Sequence, residues 1–429
     1  MQALEPPKKL FVEVTTRCNL NCRMCVKQTS NGGITEGDME EETFLRLSPL
    51  FPHLQRVVLN GIGEPLLFGN LERFIRILRD TAKPDLSIGF QTNGMLLNKG
   101  RAVSLLDAGL NRICISLDST SQGLFRMIRK GGDLSVVKRA FDNLHYAIDR
   151  TGNDSFEIGI EFVLMRENLK ELLPTLRWAK GQGVSFVIVT QVMPYDKGTV
   201  SQAVYDTNTQ TAIDLYKKYS AQAEARGLNI KDYPKVYMKF FKDQNEMALC
   251  QLVERMRKEA TSLGIVLHME NLLSRDERWF EHAQAILDEA REFARENQID
   301  ITLPELAPKN TRRCEFVEAD SIFVSYNGEI HPCYFLWHKY SCYIGGIEKR
   351  VKPWVFGNVK DRDVLEIWNS EEFVSFRQTV KGYEFPFCFD CGFALCNYIQ
   401  GEDFLQDCYT LKVPCGACLW CTGLFHCLQ

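Results

Sequence analysis

The first half of the chain alternates short β-rich runs with amphipathic stretches. Apolar and β-branched residues concentrate at 10–15, 56–60, 86–92, 112–117, 156–164 and 184–189. Between them, helical periodicity marks 41–48, 71–81, 99–108, 136–150 and 169–180. Repeated strand–helix units predict an α/β fold with a parallel sheet and helices outside it. Periodicity alone leaves open whether that sheet closes. From 201 to about 309 the pattern changes to long charged segments, notably 249–262 and 279–297, each followed by a short β-like run, 265–268 and 299–302. This predicts a helical insertion or bridge shaping a substrate entrance, with Cys250, His268 and His282 in structural roles. The expected organisation is a barrel over 1–200, the insertion over 201–309 and a Cys-rich region over 310–429.

Composition narrows the class. With 429 residues, 45% hydrophobic and 25% charged, the chain reads as an ordinary globular protein of more than one core. A formal net charge of −4 offers no footprint for nucleic acid or an anionic membrane. The opening residues lack the apolar core of a leader, and no apolar run reaches spanning length, so a cytoplasmic location is the expectation.

Sixteen cysteines change the picture. Three lie between Cys18 and Cys25 and eleven between Cys314 and Cys427, leaving Cys114 and Cys250 as small buried apolar residues. A disulfide framework belongs to small exported domains. Ligation of metal is the better reading. The run Cys18-Asn-Leu-Asn-Cys22-Arg-Met-Cys25 spaces three thiols to wrap one corner of a cubane, which needs a thiolate on each iron. With three thiolates, one iron stays open for a ligand. Zinc would want a closed set of four, and no His or Cys follows before His53.

This C-x3-C-x2-C loop resembles the signature of the radical S-adenosylmethionine (SAM) enzymes. The resemblance implies a partial (β/α)6 TIM-like barrel with its site at the carboxyl ends of the strands. It also implies an open iron that chelates the methionine part of SAM, and reductive cleavage to a 5′-deoxyadenosyl radical that takes a hydrogen atom from a C–H bond. Met24 departs from the aromatic residue common at that place.

The strand ends supply the expected cofactor contacts. Asn60-Gly-Ile-Gly63-Glu64-Pro65 resembles the family's Gly-Gly-Glu-Pro element, with Ile62 interposed; Gly63 lets backbone approach the cofactor closely and Glu64 can accept from the methionine ammonium. Thr92 and Asn93 stand in Gln-Thr-Asn-Gly, otherwise a plain tight turn. Ser116 and Asp118 share one side of the fourth strand by alternation, while Ser119 reads equally as a helix cap. Arg166 and Asn168 follow the fifth strand, where Arg166 faces the cofactor carboxylate or is an exposed loop arginine. Tyr195 follows the sixth strand, where relatives pass backbone along the adenine.

The second strong pattern begins at Cys314, followed by Gly328 in a turn Tyr326-Asn-Gly-Glu329, then Cys333. It resembles the opening of the SPASM domain, which implies two auxiliary [4Fe–4S] clusters. Cys314 and Cys333 are expected in the first and Cys388, Cys391 and Cys396 in the second, with the rest drawn from Cys408, Cys415, Cys418 and Cys427. Cys342 and Cys421 are weaker candidates. The spacing after Cys391 departs from the family run. Tyr334 replaces the acidic residue of the sulfatase maturases, and Tyr334 or Tyr195 is a candidate proton or electron relay. The tail Cys415-Gly-Ala-Cys-Leu-Trp-Cys-Thr-Gly-Leu-Phe-His-Cys427, with Met193-Pro-Tyr195 and the insertion, resembles the maturases of tungsten-containing aldehyde oxidoreductases. That likeness implies a protein, peptide or bound-cofactor substrate and a ferredoxin or flavodoxin as electron donor. A peptide-crosslinking or thioether-forming enzyme is the alternative. A non-catalytic iron–sulfur carrier is the alternative of another class, for a carrier has no need of Glu64, Ser116 or Asp118 beside an open iron.

Overall fold

A computed structural model describes residues 5–28, 33–389 and 404–429. All six expected strands form: β1 Lys9–Val12, β2 Arg56–Val58, β3 Ser87–Thr92, β4 Arg112–Ser116, β5 Glu157–Leu164 and β6 Phe186–Gln191. They pair in parallel in sequence order. Expected helices lie between them, including Leu71–Thr81, Lys99–Asp107 and Leu134–Thr151. The last starts where Asp133 accepts from Ser135 N and stops at Gly152 in the left-handed region.

The sheet is larger than six strands. β7, Asp300–Thr302, adds in parallel to β6 at one edge. At the other edge β8, Ser321–Val324, lies parallel to β1, with Leu10 opposite Ile322. β9, Glu329–His331, returns antiparallel to β8 through the expected turn, where Gly328 has φ +92°. β10 (Tyr340–Ile344) and β11 (Ile347–Val351) form a separate antiparallel ribbon, and β12, Gly357–Asn358, joins β9. The main sheet therefore runs β12-β9-β8-β1-β2-β3-β4-β5-β6-β7, an open curve of ten strands. The expected run 265–268 forms no strand. It follows the left-handed Gly264, and its amides go elsewhere, Ile265 N to Ala260 O at 2.8 Å and His268 N to Asn208 Oδ1 at 3.0 Å.

Strand alternation gives the sheet two buried faces, as in a barrel wall. Leu10 and Val12 face the helices, while Phe11 points inward with Val58, Cys114, Phe186 and Ile188. The C-terminal region fills that interior with Phe316, Phe323, Trp337 and Leu428. Part of the helical stretch has its own core, Leu215, Tyr219, Leu252, Val253 and Met256 among it. Helix Glu277–Glu296 instead packs Ala283, Leu287 and Ala290 onto the barrel. No helix among the described residues is long and apolar enough to cross a membrane.

Candidate active site

The loop after β1 is held from two sides. Asn21 N and Arg23 N donate to the carbonyls of Lys130 and Ile128, both at 2.9 Å. Glu64 N donates to Arg17 O at 2.7 Å, which lays the 61–64 turn against the base of the loop. A Cβ on Gly63 would fall 2.3 Å from Thr15 O, so only glycine permits this approach. The result is a cavity of about 210 Å³ lined by Cys18, Cys22 and Cys25 together with Gly63, Glu64, Thr92, Asn93 and Ser116. Burial pushes the thiols of Cys18 and Cys22 above their ordinary value and Cys25 up to about 11.

Glu64 is fully enclosed and well satisfied. It accepts from Thr92 Oγ1 at 2.6 Å, Asn93 N at 2.7 Å and Leu66 N at 3.0 Å. Burial raises its carboxyl against those three donors. Asn93 Nδ2 also reaches Asn19 Oδ1 of the cysteine loop at 2.8 Å. Asp118 stands one layer back. It accepts from Val163 N at 2.9 Å and from Arg129 Nε at 2.6 Å, and Arg129 is the residue that reaches the cavity beside Cys22. Sequence reasoning missed Arg129. It also missed Glu161, whose carboxyl takes a hydrogen bond from Gln91 Nε2 and lines the same cavity. Desolvation pushes Glu161 up to about 8. A lone acid inside the apolar run Ile160-Glu-Phe-Val-Leu164 was the available signal.

Three expected cofactor contacts, Asp118, Arg166 and Asn168, are not brought here, which corrects the sequence reading. Asp118 has its two oxygens taken by Val163 N and Arg129 Nε. Arg166 stacks on Trp279 at 3.7 Å, donates to Ala203 O at 3.2 Å and lines a separate cavity of about 560 Å³. The aromatic face supplied by helix Glu277–Glu296 captures it. Asn168 spends its amide on its own turn, bonding Met165 N, Val163 O and Asp118 O. It organises the end of β5 and leaves no group for a ligand. Tyr334 does not line the cavity; it is ringed edge-to-face by Phe11, Phe323 and Trp337, and its hydroxyl lies 3.4 Å from Oδ1 of Asn60, which does line it. Tyr195 packs on Tyr340 at 5.4 Å, and its buried phenol feels Cys342 and Cys25.

A second set of thiols gathers in the C-terminal region. Cys314, Cys333, Cys415 and Cys418 lie within electrostatic reach of one another. Cys418 is the sulfur held low, by the Cys421 thiol and by the N–H groups of Cys421 and Trp420. Cys388 N donates to Gly416 O at 2.8 Å, and a Cβ on Gly416 would meet Cys388 Sγ at 2.5 Å, so Cys388 abuts the same loop. Cys427 is not brought to this set. Its neighbours are Glu315, Glu161, Trp420 and Lys9 at the barrel floor, because the final residues turn into the barrel. Cys408 is exposed, and Cys391 and Cys396 lie outside the described residues. Among the described residues no three His, Cys, Asp or Glu side chains converge tightly enough for a single metal ion.

Comparison with known proteins agrees with this geometry. Residues 12–190 match the radical SAM superfamily, and residues 314–392 match SPASM, an iron–sulfur cluster-binding domain. The chain thus carries a radical SAM domain and a SPASM domain. Over 98% of its length it is 27% identical to the tungsten-containing aldehyde ferredoxin oxidoreductase cofactor-modifying protein of Pyrococcus furiosus, covering 97% of that protein. Over 47% of its length it is 31% identical to a probable GTP 3′,8-cyclase of Methanococcus aeolicus, covering 64% of that protein. Among solved structures, native anSMEcpe with bound AdoMet superposes with a TM-score of 0.55 at 16% identity, over 96% of this chain and 95% of that one, a likeness of fold.

Proposed function

We propose that the chain is a maturase that cleaves SAM reductively and modifies a C–H bond in the cofactor of a tungsten-containing aldehyde ferredoxin oxidoreductase. The observation that carries this reading is the end-to-end similarity to the Pyrococcus protein, which takes in both domains. The site fits the chemistry. Cys18, Cys22 and Cys25 would hold a [4Fe–4S] cluster by three irons, and Glu64, with Thr92, Asn93 and Ser116 beside it, would receive the ammonium and neighbouring polar groups of SAM. When bound, cluster and SAM supply a 5′-deoxyadenosyl radical. The chain's own part is to orient and enclose: the aromatic cluster of Phe11, Phe323, Tyr334 and Trp337 packs behind Ile62 of the cavity wall and keeps water from that side. Glu161 holds a proton within the cavity. Cys314, Cys333, Cys415 and Cys418, with Cys388 adjacent, would hold auxiliary iron–sulfur. A ferredoxin or flavodoxin is the electron donor in this reading.

The test is anaerobic reconstitution with iron and sulfide, then dithionite and SAM, with and without an oxidoreductase made in cells lacking the maturase. The expected result is 5′-deoxyadenosine whose yield rises with the oxidoreductase, together with a mass change in its extracted cofactor. Iron uptake with no cleavage in either arm would sink the radical reading. Cleavage that leaves the cofactor unchanged would sink the substrate assignment alone.

A further inference from the structure

The β10–β11 ribbon carries a charge where its pattern calls for an apolar residue. Alternation sets Tyr340, Cys342 and Ile344 against Val351, Lys349 and Ile347 on one face. Lys349, the direct cross-strand partner of Cys342, is only 6% exposed. Its Nζ lies 5.7 Å from the centroid of Phe335, so the ammonium sits over a ring rather than in water. Burial disfavours its charge, and among the described residues the groups that favour it most are the sulfurs of Cys342, Cys388, Cys418 and Cys415. An ammonium taken out of water is costly unless opposite charge stands near. Neutral thiols supply none, whereas cysteine thiolates bound around iron and sulfide make an anionic body.

We propose that Lys349 is the built-in counter-charge of the auxiliary iron–sulfur site formed around Cys314, Cys333, Cys415 and Cys418, a positioning residue that raises that site's reduction potential. The inference rests on the auxiliary-cluster reading of the SPASM domain. A fixed positive charge beside a cluster favours the reduced, more negative form. Arg312 is a second cation near Cys421, Cys388 and Cys415, but it is only half buried and stacks on Phe385 and Phe387 at 4.1 and 4.0 Å. Solvent weakens its effect, which makes it a graded control.

The experiment uses the full chain with Cys18, Cys22 and Cys25 changed to Ala, so that only auxiliary iron titrates. Into it go Lys349→Met, which keeps shape and removes charge, Lys349→Arg, and Arg312→Met. Iron per chain and the midpoint potential, followed by electron paramagnetic resonance, are the readouts. The proposal expects full iron in Lys349→Met with a midpoint shifted negative, a smaller shift in Arg312→Met, and return toward the parent value in Lys349→Arg. Full iron with an unchanged midpoint in Lys349→Met overturns it. Should Lys349→Met lose iron, recovery in Lys349→Arg supports the counter-charge, and equal loss in both reduces the lysine to a packing role and overturns it. A parent that binds no iron overturns the auxiliary-cluster reading itself, a distinct result.

Discussion

Arg129 Nε meets Asp118 Oδ2 at 2.6 Å directly behind Cys22, and both side chains are shut away from solvent. Removing one member of such a pair strands a charge in low dielectric, a loss of about 3–5 kcal/mol. Asp118→Ala is expected to destabilise the protein by about that amount, read as a lowered melting temperature under anaerobic conditions. A change below about 1 kcal/mol, the range of a surface pair, would show that the pair is not structural.

Glu64 receives three donors and lines the same cavity as the three thiols. A glutamine there turns an amide N–H toward N–H and O–H donors and, in the function proposed above, loses the charge that would receive the SAM ammonium. Hydrogen bonds to charged groups are worth about 1.5–3 kcal/mol, so Glu64→Gln should weaken SAM binding roughly tenfold to a hundredfold. Equilibrium dialysis measures it, with iron per chain expected to stay level. Unchanged affinity would remove Glu64 from the cofactor site.

Glu161 makes stability depend on pH in a direction opposite to most acids. Its folded carboxyl is pushed up to about 8, whereas an unfolded glutamate titrates near about 4.3. The stabilisation from this group is whole below the unfolded value and is lost as pH rises toward the folded one. Its slope approaches about 1.4 kcal/mol per pH unit inside that window. Glu161→Gln should therefore gain stability relative to the parent between about pH 6 and pH 8. Parallel melting curves for the two proteins across that range would contradict it.

The two late cysteines should part company. Cys418 lies among the auxiliary thiols, whereas Cys427 lies at the barrel floor beside Glu161 and Trp420. Iron analysis of Cys418→Ser is expected to show loss of auxiliary iron, and Cys427→Ser is expected to retain it. Equal losses would restore Cys427 to the ligand set.

The six barrel strands were legible because each is a local run rich in apolar and β-branched residues, two of them closed by Asn-Gly, at 60–61 and 93–94. The cavity was legible in part: Gly63, Glu64, Thr92, Asn93 and Ser116 line it with the three thiols. Arg129 was not, because nothing local to Met127-Ile-Arg-Lys130 announces that Asp118 waits across the loop. Arg166 was misplaced for a similar reason, since its partner Trp279 lies on a helix more than a hundred residues later. Glu161 and Lys349 left a usable trace, a charge flanked on its strand face by apolar residues or glycine, which periodicity reads as noise until burial is known.

The pairing of β1 with β8 bears on how the chain is made. Lys9 to Val12 find their second neighbour in Ser321 to Val324, about three hundred residues further along. During synthesis the first strand emerges early and must wait, one row of its amides and carbonyls open, until the ribosome has delivered nearly three quarters of the protein. Such an open row invites pairing with another chain, and contacts of this separation close slowly. Nascent chains stalled or cut before residue 321 should therefore be the species most in need of a chaperone.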